Sequence, residues 1–355
     1  MPNSDVEIRN QAPTPDITVG ITTTVPIEVI FAAGRKPVDL NNLFVTHPQP
    51  DLLVARAERV GFPRNMCAWV KGIYGVVQAE KIHTVVATTE GDCSNTRSLI
   101  EMLQMGGTEV IPFGYPYGRD ERLLKDQLAR FCAALGTTLA EAEAVRRDLE
   151  MVRERIREID RLTYETGQVT GEENHLWLIG CSDMLGDPAE YARRAEEFLE
   201  EAQAREGVDR FPRIGMIGIP PVCSGLFEFL DERGAMVVFN EMQRQFSMPY
   251  RCESLLDQYR RYTYPYDIFF RLQDVEREIR RRRIDAVIHY VQSFCFRQVQ
   301  DRIVRERLRL PVLTLEFDRP GPLDGRAMTR IEAFLEMLRG PCAVGKDYVK
   351  GRHAI

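Results

Sequence analysis

Short apolar runs rich in β-branched residues alternate with amphipathic segments in the first third of the chain. The runs that favour strands are "ITVGITTTV", "VDLNNLF", "KIHTVVATT" and "TEVIPFGYP". The segments with helical spacing between them are "PIEVIFAAGRK" and "SNTRSLIEMLQMGG". Strands that alternate with helices form parallel sheets, because each helix carries the chain back to the start of the next strand. We therefore predict a first α/β domain over residues 17–117.

The same alternation returns after residue 210. Its strand-like runs are "RIGMIGIPP", "AMVVFNE", "RIDAVIHYV" and "LPVLTLEFD". With an offset of 202 residues, Val85 falls on Val287 and Cys93 falls on Cys295. The offset suggests an internal repeat, although periodic strand and helix patterns alone produce some such matches. The expected fold class is α/β, with a second parallel-sheet domain over residues 211–342 in pseudo-repeat with the first.

Residues 118–210 are expected to form a helical segment between the two domains. Apolar residues recur there at three- and four-residue steps among charged ones, at Val145, Leu149, Val152, Ile156, Ile159 and Leu162. Asp187 followed by Pro188 predicts the start of a further helix, since a cap residue and proline favour these two positions. We interpret these helices as packing on the α/β core, and the alternatives are a cleft wall or a docking surface. Residues 1–16 and 343–355 are predicted to be flexible tails.

Composition and charge exclude some classes of protein. A net charge of −6 argues against a nucleic-acid binder, which usually carries a basic excess. We find no apolar run approaching the roughly 18 residues that a membrane span needs, so no membrane association is expected. The stretch "MPNSDVEIRNQAPTPD" lacks the apolar core of a signal peptide, and a cytoplasmic location is therefore expected.

The sequence contains eight cysteines, and none of them forms a CxxC pair. In a reducing cytosol cysteines are small hydrophobic residues, redox groups or metal ligands, so a metal site would gather ligands from distant segments. Cys93 lies where a predicted strand gives way to a helix, and Cys295 occupies the same place in the second half. Ligands of open α/β sheets bind at the carboxyl ends of strands, and helix N-termini stabilise thiolates there. We therefore expect both cysteines to face one cleft.

The other cysteines divide into three groups. Cys67, in "GFPRNMCAWVKGIYG", is the best third ligand, although a buried cysteine beside Trp69 explains it about equally well. Cys132 and Cys181 favour core positions, and Cys342 is interpreted as incidental. For Cys223 and Cys252 both interpretations stay open.

Several segments together resemble one known family. They are "VPIEVIFAAGRKPVDL", "FPRNMCAWVKG", "TVVATTEGDCSN" and "DAVIHYVQSFCFRQVQ" followed by "LPVLTLEFD". In this order and spacing they resemble the 2-hydroxyacyl-CoA dehydratase and benzoyl-CoA reductase family over residues 18–340. The resemblance implies two Rossmann-like domains and a 4Fe-4S cluster held by three cysteines, here Cys67, Cys93 and Cys295. It also implies an iron without a protein ligand, which can bind substrate.

The resemblance implies a function and partners as well. The chain would be the iron-sulfur subunit of such an enzyme, passing single low-potential electrons from an ATP-hydrolysing iron-sulfur activator to an acyl-CoA thioester. A related second subunit, or a second copy in a homodimer, would complete the enzyme. The alternative is a non-catalytic 4Fe-4S electron-transfer or assembly protein. A third interpretation is an α/β binding protein without a cluster.

The sequence departs from the family pattern at two places. Many relatives carry the middle cysteine directly after a Thr-Thr pair, whereas Glu90 occupies that position here and Cys93 follows three residues later. Glu90 and Asp92, beside Cys93, could donate or accept protons in the cleft, and Glu90 is the tentative catalytic residue, although acidic residues are common in strand-end loops. A branch of the family with two joined cubanes has extra cysteines where this chain has Ile219 and Met242, so one cubane is expected.

Overall fold

Two four-stranded parallel sheets form the framework of the chain. The computed structural model describes residues 17–340. The predicted tails at 1–16 and 343–355, together with Cys342, lie outside the described residues. Between residues 17 and 340, no helix has the length and apolar character that crossing a membrane requires.

The first sheet is built from residues 18–114. Its elements, in chain order, are β1 (Thr18–Ile21), α1 (Ile27–Ala32), β2 (Lys36–Asp39), α2 (Leu40–Val45), α3 (Pro50–Arg59), α4 (Ala68–Glu80), β3 (Thr84–Glu90), α5 (Asn95–Met105) and β4 (Glu109–Gly114). The strand order is β2-β1-β3-β4, and every neighbouring pair is parallel. The strands β1 and β3 are almost entirely buried, as expected for a sheet covered by helices on both faces.

The predicted strand "VDLNNLF" is wrong in its second half. The strand ends at Asp39, and residues 40–45 form the helix α2. The reason is local, because Asp39 Oδ1 accepts a hydrogen bond of 2.9 Å from Asn41 N and so caps the helix. Asp39 therefore lies at the carboxyl end of β2.

Four helices separate the two sheets. They are α6 (Glu121–Leu135), α7 (Leu139–Glu165), α8 (Gly171–Gly180) and α9 (Pro188–Gln203), with short 3₁₀ turns at Tyr117–Arg119 and Met184–Gly186. The predicted helix start at Asp187 and Pro188 is confirmed, since Asp187 Oδ1 accepts a hydrogen bond from Glu190 N at 3.1 Å.

The second sheet is built from residues 213–316. The elements after α9 are β5 (Arg213–Gly218), β6 (Cys223–Ser224), α10 (Leu226–Glu232), β7 (Met236–Asn240), α11 (Glu241–Phe246), α12 (Leu255–Arg261), α13 (Ile268–Arg281), β8 (Ala286–Val291), α14 (Phe296–Val299), α15 (Asp301–Leu308), β9 (Val312–Glu316), β10 (Gly321–Pro322) and α16 (Gly325–Arg339). The strand order is β7-β5-β8-β9, all parallel, and β6 pairs with β10 separately. The α/β class is confirmed, whereas the domain bounds at 17–117, 118–210 and 211–342 stay predictions.

The long helix α7 buries its apolar stripe inside the chain. Leu149, Val152, Ile156, Ile159 and Leu162 are all buried in one core that also contains residues of α1, α6, α8 and α9. The interpretation that this helix packs on the α/β core is therefore confirmed. Its apolar stripe is not available for docking a partner.

A buried ion pair joins α7 to α1. Arg153 Nη2 lies 2.6 Å from Glu28 Oε1, and both side chains are at most 1% exposed. Gln258 Nε2 and the Tyr259 hydroxyl also donate to the Glu28 carboxylate, at 2.7 and 2.8 Å. Burial would raise the pKa of Glu28, but Arg153 and Gln258 outweigh burial and hold it below the usual range. The pair connects the first sheet, the helical segment and α12.

Replacing Arg153 with Met should lower the free energy of unfolding by about 3–5 kcal/mol, because Glu28 would be left buried without its cation. Urea denaturation at pH 7 measures this loss. The matched control is Arg155→Met, two residues further along α7, where the partly exposed pair with Glu196 should contribute at most about 1 kcal/mol. Equal losses in the two variants would contradict the assignment of a structural role to the buried pair.

Candidate functional site

A cavity of ≈ 100 Å³ lies where the carboxyl ends of strands from both sheets meet. Three segments of the first sheet line it: the loop after β1 (Thr22, Thr23, Thr24), the end of β2 (Asp39) and the loop after β3 (Asp92, Cys93). Three segments of the second sheet line it as well: the loop after β5 (Ile219, Pro220), the start of α11 (Met242) and the loop after β8 (Phe294, Cys295). In each sheet the strand order changes sides next to the first strand: β2 is added on one side of β1 and β3 on the other, and β7 and β8 flank β5 in the same way. Open α/β sheets bind their ligands at such switch points.

Three cysteines from three separate segments line this cavity. Cys67 occupies the N-cap position of α4, Cys295 occupies that of α14, and Cys93 lies two residues before α5. Burial, with smaller contributions from the neighbouring Cys295 and Cys93, raises the pKa of the Cys67 thiol to about 12. Burial also raises the pKa of Cys93. Cys67 and Cys93 are therefore neutral thiols at pH 7 in the metal-free chain, and binding a metal would release their protons.

Gln292 connects the loops of Cys67 and Cys295. Its side-chain Oε1 accepts hydrogen bonds from Cys67 Sγ at 2.8 Å and from Ala68 N at 3.1 Å. Its backbone oxygen accepts a third from Cys295 N at 3.1 Å. The sequence analysis did not identify Gln292. The only sequence feature that could have indicated it is its place in the short loop between β8 and Cys295.

Gly91 determines the path of the Cys93 loop. Its φ is +91°, and a Cβ there would lie 2.8 Å from side-chain atoms of Pro265 and Tyr115. Glycine therefore fits both the left-handed conformation and the close packing. The turn brings Asp92 and Cys93 into the cavity after β3 has ended at Glu90.

Glu90 points away from the cavity. Its side chain is exposed, and Oε1 accepts a hydrogen bond from Tyr117 N at 2.8 Å. It does not cap α5, where the side chain of the N-cap residue Ser94 makes no capping hydrogen bond. The tentative catalytic role of Glu90 thus has no geometric support, and the acids that line the cavity are Asp39 and Asp92.

The second-sheet side of the cavity carries a buried cation. Arg297 is 2% exposed, and its Nη2 donates to the Tyr264 backbone oxygen at 3.1 Å. The guanidinium lies 4.6 Å from the centre of the Tyr264 ring. Asp92 accepts long hydrogen bonds of 3.3 Å from Thr96 Oγ1 and Tyr264 OH. Burial raises the pKa of Asp92, while Arg297 opposes that rise.

Asp39 and Asp183 form a pair of neighbouring buried acids at the cavity. Asp39 lines it, and the fully buried Asp183 lies behind Asp39, with Asp183 Oδ2 accepting a hydrogen bond of 2.7 Å from Asp39 N. Burial raises the pKa of Asp183 to about 7, and the nearby Asp39 raises it too. Burial likewise raises the pKa of Asp39. Asp39 was hidden from sequence reasoning by the strand assigned to "VDLNNLF".

The other four cysteines within residues 17–340 lie away from this cavity. Cys132, Cys181 and Cys223 are buried in the hydrophobic cores, and Cys252 is partly buried beside Tyr250. The core positions predicted for Cys132 and Cys181 are confirmed. Ile219 and Met242, where one family branch has extra cysteines, both line the cavity with apolar side chains.

Within residues 17–340, no group of three or more His, Cys, Asp or Glu side chains is arranged to hold a metal ion. A cubane cluster makes a different demand, because each cysteine binds a different iron and the sulfurs lie further apart than the ligands of one ion. Three thiols around one largely apolar cavity are a suitable donor set for such a cluster. The role of Cys67, Cys93 and Cys295 as ligands stays a prediction.

The raised pKa of Asp183 should make stability depend on pH. An unfolded carboxyl has a pKa near 3.9, so the folded chain retains a proton at Asp183 that the unfolded chain loses between about pH 4 and 7. The unfolding free energy should therefore fall as pH rises through that window, by up to about 4 kcal/mol. In Asp183→Asn this part of the fall should disappear.

Urea denaturation of both proteins from pH 5 to pH 8 measures the difference. The matched control is Asp187→Asn, an exposed N-cap acid four residues later, which should keep the wild-type pH dependence. Parallel pH profiles for wild type and Asp183→Asn would refute the buried, protonated carboxyl.

Comparison with known proteins assigns this sequence to a family. The family model described as "2-hydroxyglutaryl-CoA dehydratase, D-component" matches residues 22–338, a span that includes Cys67, Cys93 and Cys295. No curated protein matches the sequence. Because the match covers most of the chain, the family resemblance is confirmed, and the protein belongs to the 2-hydroxyglutaryl-CoA dehydratase D-component family.

Proposed function

We propose that this chain is the iron-sulfur subunit of a 2-hydroxyacyl-CoA dehydratase or benzoyl-CoA reductase-like enzyme. It would pass single low-potential electrons from an ATP-dependent iron-sulfur activator to an acyl-CoA thioester, together with a related second subunit or a second copy. Family membership supports the dehydratase class. The observation that carries the proposal is the meeting of Cys67, Cys93 and Cys295 at one cavity between the two sheets.

The three thiols would hold a 4Fe-4S cluster. When bound, such a cluster supplies one-electron transfer and an iron without a protein ligand, open to a substrate oxygen. Burial raises the pKa of Cys67 and Cys93, but backbone N–H groups at the start of α4 (Trp69, Val70) and of α5 (Asn95) oppose that rise and would help to stabilise the thiolates. Gln292 would fix the relative positions of the Cys67 and Cys295 loops.

The rest of the cavity suits a reaction that must exclude water. Its apolar lining consists of Trp69, Val70, Ile73, Ile179, Ile219, Pro220, Met242, Phe246, Phe294 and Phe296. Two hydrogen-bond donors belong to side chains of the lining: Trp69 Nε1, which is buried with no hydrogen-bond partner in residues 17–340, and the guanidinium of Arg297. These donors would orient an acyl group, and the apolar wall would keep water away from it.

We also infer that the two sheets belong to two related, Rossmann-like domains. Their strand orders agree when the four strands of each are numbered along the chain. Val85 lies between Gly20 and Val110 in the first sheet, and Val287 lies between Gly215 and Val312 in the second. The residues that match at an offset of 202 thus occupy matching registers, which supports an internal repeat.

A non-catalytic 4Fe-4S electron carrier or assembly protein is the second candidate. Cys93 and Cys295 also line a neighbouring surface cavity, beside Phe294 and Val299, which are 74% and 81% exposed. A cluster so near the surface would suit electron exchange with another protein. Binding of 2-hydroxyglutaryl-CoA to the anaerobically reconstituted chain favours the enzyme, and a reconstituted chain that does not bind it favours the carrier.

Each of Cys67→Ser, Cys93→Ser and Cys295→Ser should reduce iron and sulfide content by more than half after anaerobic reconstitution, because three thiolates are the minimum donor set proposed. Iron and acid-labile sulfide analysis, with absorption near 400 nm, measures this loss. Cys252→Ser is the matched control, since that cysteine is also partly buried but lies outside the cavity. If a single serine variant retained the full cluster, that cysteine would be excluded as a ligand.

A further inference from the structure

The pair of acids formed by Asp39 and Asp183 is unusual for a buried site. Asp39 is 3% exposed and Asp183 is 0% exposed. Among the described residues, no Lys, Arg or His pairs with either carboxyl. Two buried negative charges without a cation repel each other, so we expect only one of the two carboxyls to be ionised at neutral pH.

One further group beside Asp39 points to a ligand. The Asn42 side chain lines the cavity and is only 3% exposed, yet its Oδ1 has no hydrogen-bond partner in the described part of the chain. An amide oxygen accepts hydrogen bonds, and buried polar atoms are rarely left unpaired, so the hydroxyl group of a bound molecule could donate to it.

We propose that Asp39, backed by Asp183, is the proton-transfer residue of this cavity and acts on the acyl group of a 2-hydroxyacyl-CoA. The inference rests on the proposed function. Asp39 lines the same cavity as the three cysteines, whereas Asp183 lies behind it and acts only through it. Asp183 is therefore a positioning residue.

Dehydration removes a proton from the carbon next to the hydroxyl-bearing carbon, and it removes the hydroxyl group. Asp39 accepts that proton and passes it to the leaving hydroxyl, so that one C–H and one C–O bond break while a C=C bond and water form. The one further reactant is the electron that the proposed activator supplies, and because this electron is returned at the end of the turnover, no net electron is consumed. Asp183 keeps its own proton throughout and leaves Asp39 ionised to act as the base.

Within residues 17–340, no charged side chain pairs directly with either acid, and the cations Arg153 and Arg157 act on the neighbouring Cys181. The groups that face Asp39 are Asn41, Asn42 and Ser182, all neutral. Asn41 donates twice to Asp39 Oδ1, from its N and Nδ2, at 2.9 Å each. The titratable groups near Asp183 are Cys181 and Tyr191, and burial raises the pKa of both.

The first test uses the chain itself and needs no turnover. Carboxyl titration by infrared or ¹³C NMR should show one group that loses its proton near neutral pH. In Asp39→Asn, which keeps the helix cap of α2, that midpoint should fall by about one pH unit or more, because the repelling neighbour is gone. Asp187→Asn should leave it in place. An unchanged midpoint in Asp39→Asn would overturn the pairing.

The second test measures turnover of 2-hydroxyglutaryl-CoA by the anaerobically assembled enzyme with its activator and ATP. Asp39→Asn should lower kcat at least about 100-fold, with KM and iron content close to wild type. Release of deuterium from substrate labelled at the carbon next to the hydroxyl-bearing carbon should slow equally. Wild-type kcat in Asp39→Asn would overturn the role of Asp39. A wild-type chain that bound no iron and showed no turnover would count against the proposed function instead. The carboxyl titration would still show, without any turnover, whether Asp39 and Asp183 interact.

Discussion

The parallel arrangement of both sheets is the constraint on which the candidate site depends. Parallel strands all end at the same edge, so each sheet collects the loops after its strands there. Because the two edges face each other, Asp39 and Cys93 from one sheet and Cys295 from the other line a single cavity. Cys67 joins them from the start of α4, and Gln292 ties its loop to that of Cys295.

The cavity brings two kinds of chemistry together. Three thiols line it, and so do the buried Arg297 and Asp92. Asp39 lines the same cavity, backed by Asp183 and accompanied by the unpaired Asn42 Oδ1. The apolar side chains of the lining keep the effective dielectric low, which strengthens each electrostatic interaction with a bound molecule. Under the proposed function, an acyl group held here would lie in one cavity with both the cluster and a proton acceptor.

The sequence predicted the α/β class, the long helix and the family, because each depends on a pattern spread over many residues. Cys93 and Cys295 could be identified since they follow strands and precede helices, a local signal. Asp39 was missed because its role as a helix cap is decided by one hydrogen bond that the alternation in "VDLNNLF" obscures. Asp183 could not be predicted at all, since only tertiary packing brings the helical segment against β2. Glu90 and Asp92 could not be told apart from sequence, because the turn at Gly91, which directs Asp92 inward, depends on packing against Pro265 and Tyr115.

The most direct test of the central claim is X-ray diffraction at the iron absorption edge from crystals of the anaerobically purified protein. We expect one compact anomalous peak in the cavity between the two sheets, within bonding distance of the sulfurs of Cys67, Cys93 and Cys295, with one iron free of protein ligands. A fully reconstituted protein whose cavity holds no iron, or whose iron is bound by other side chains, would contradict it.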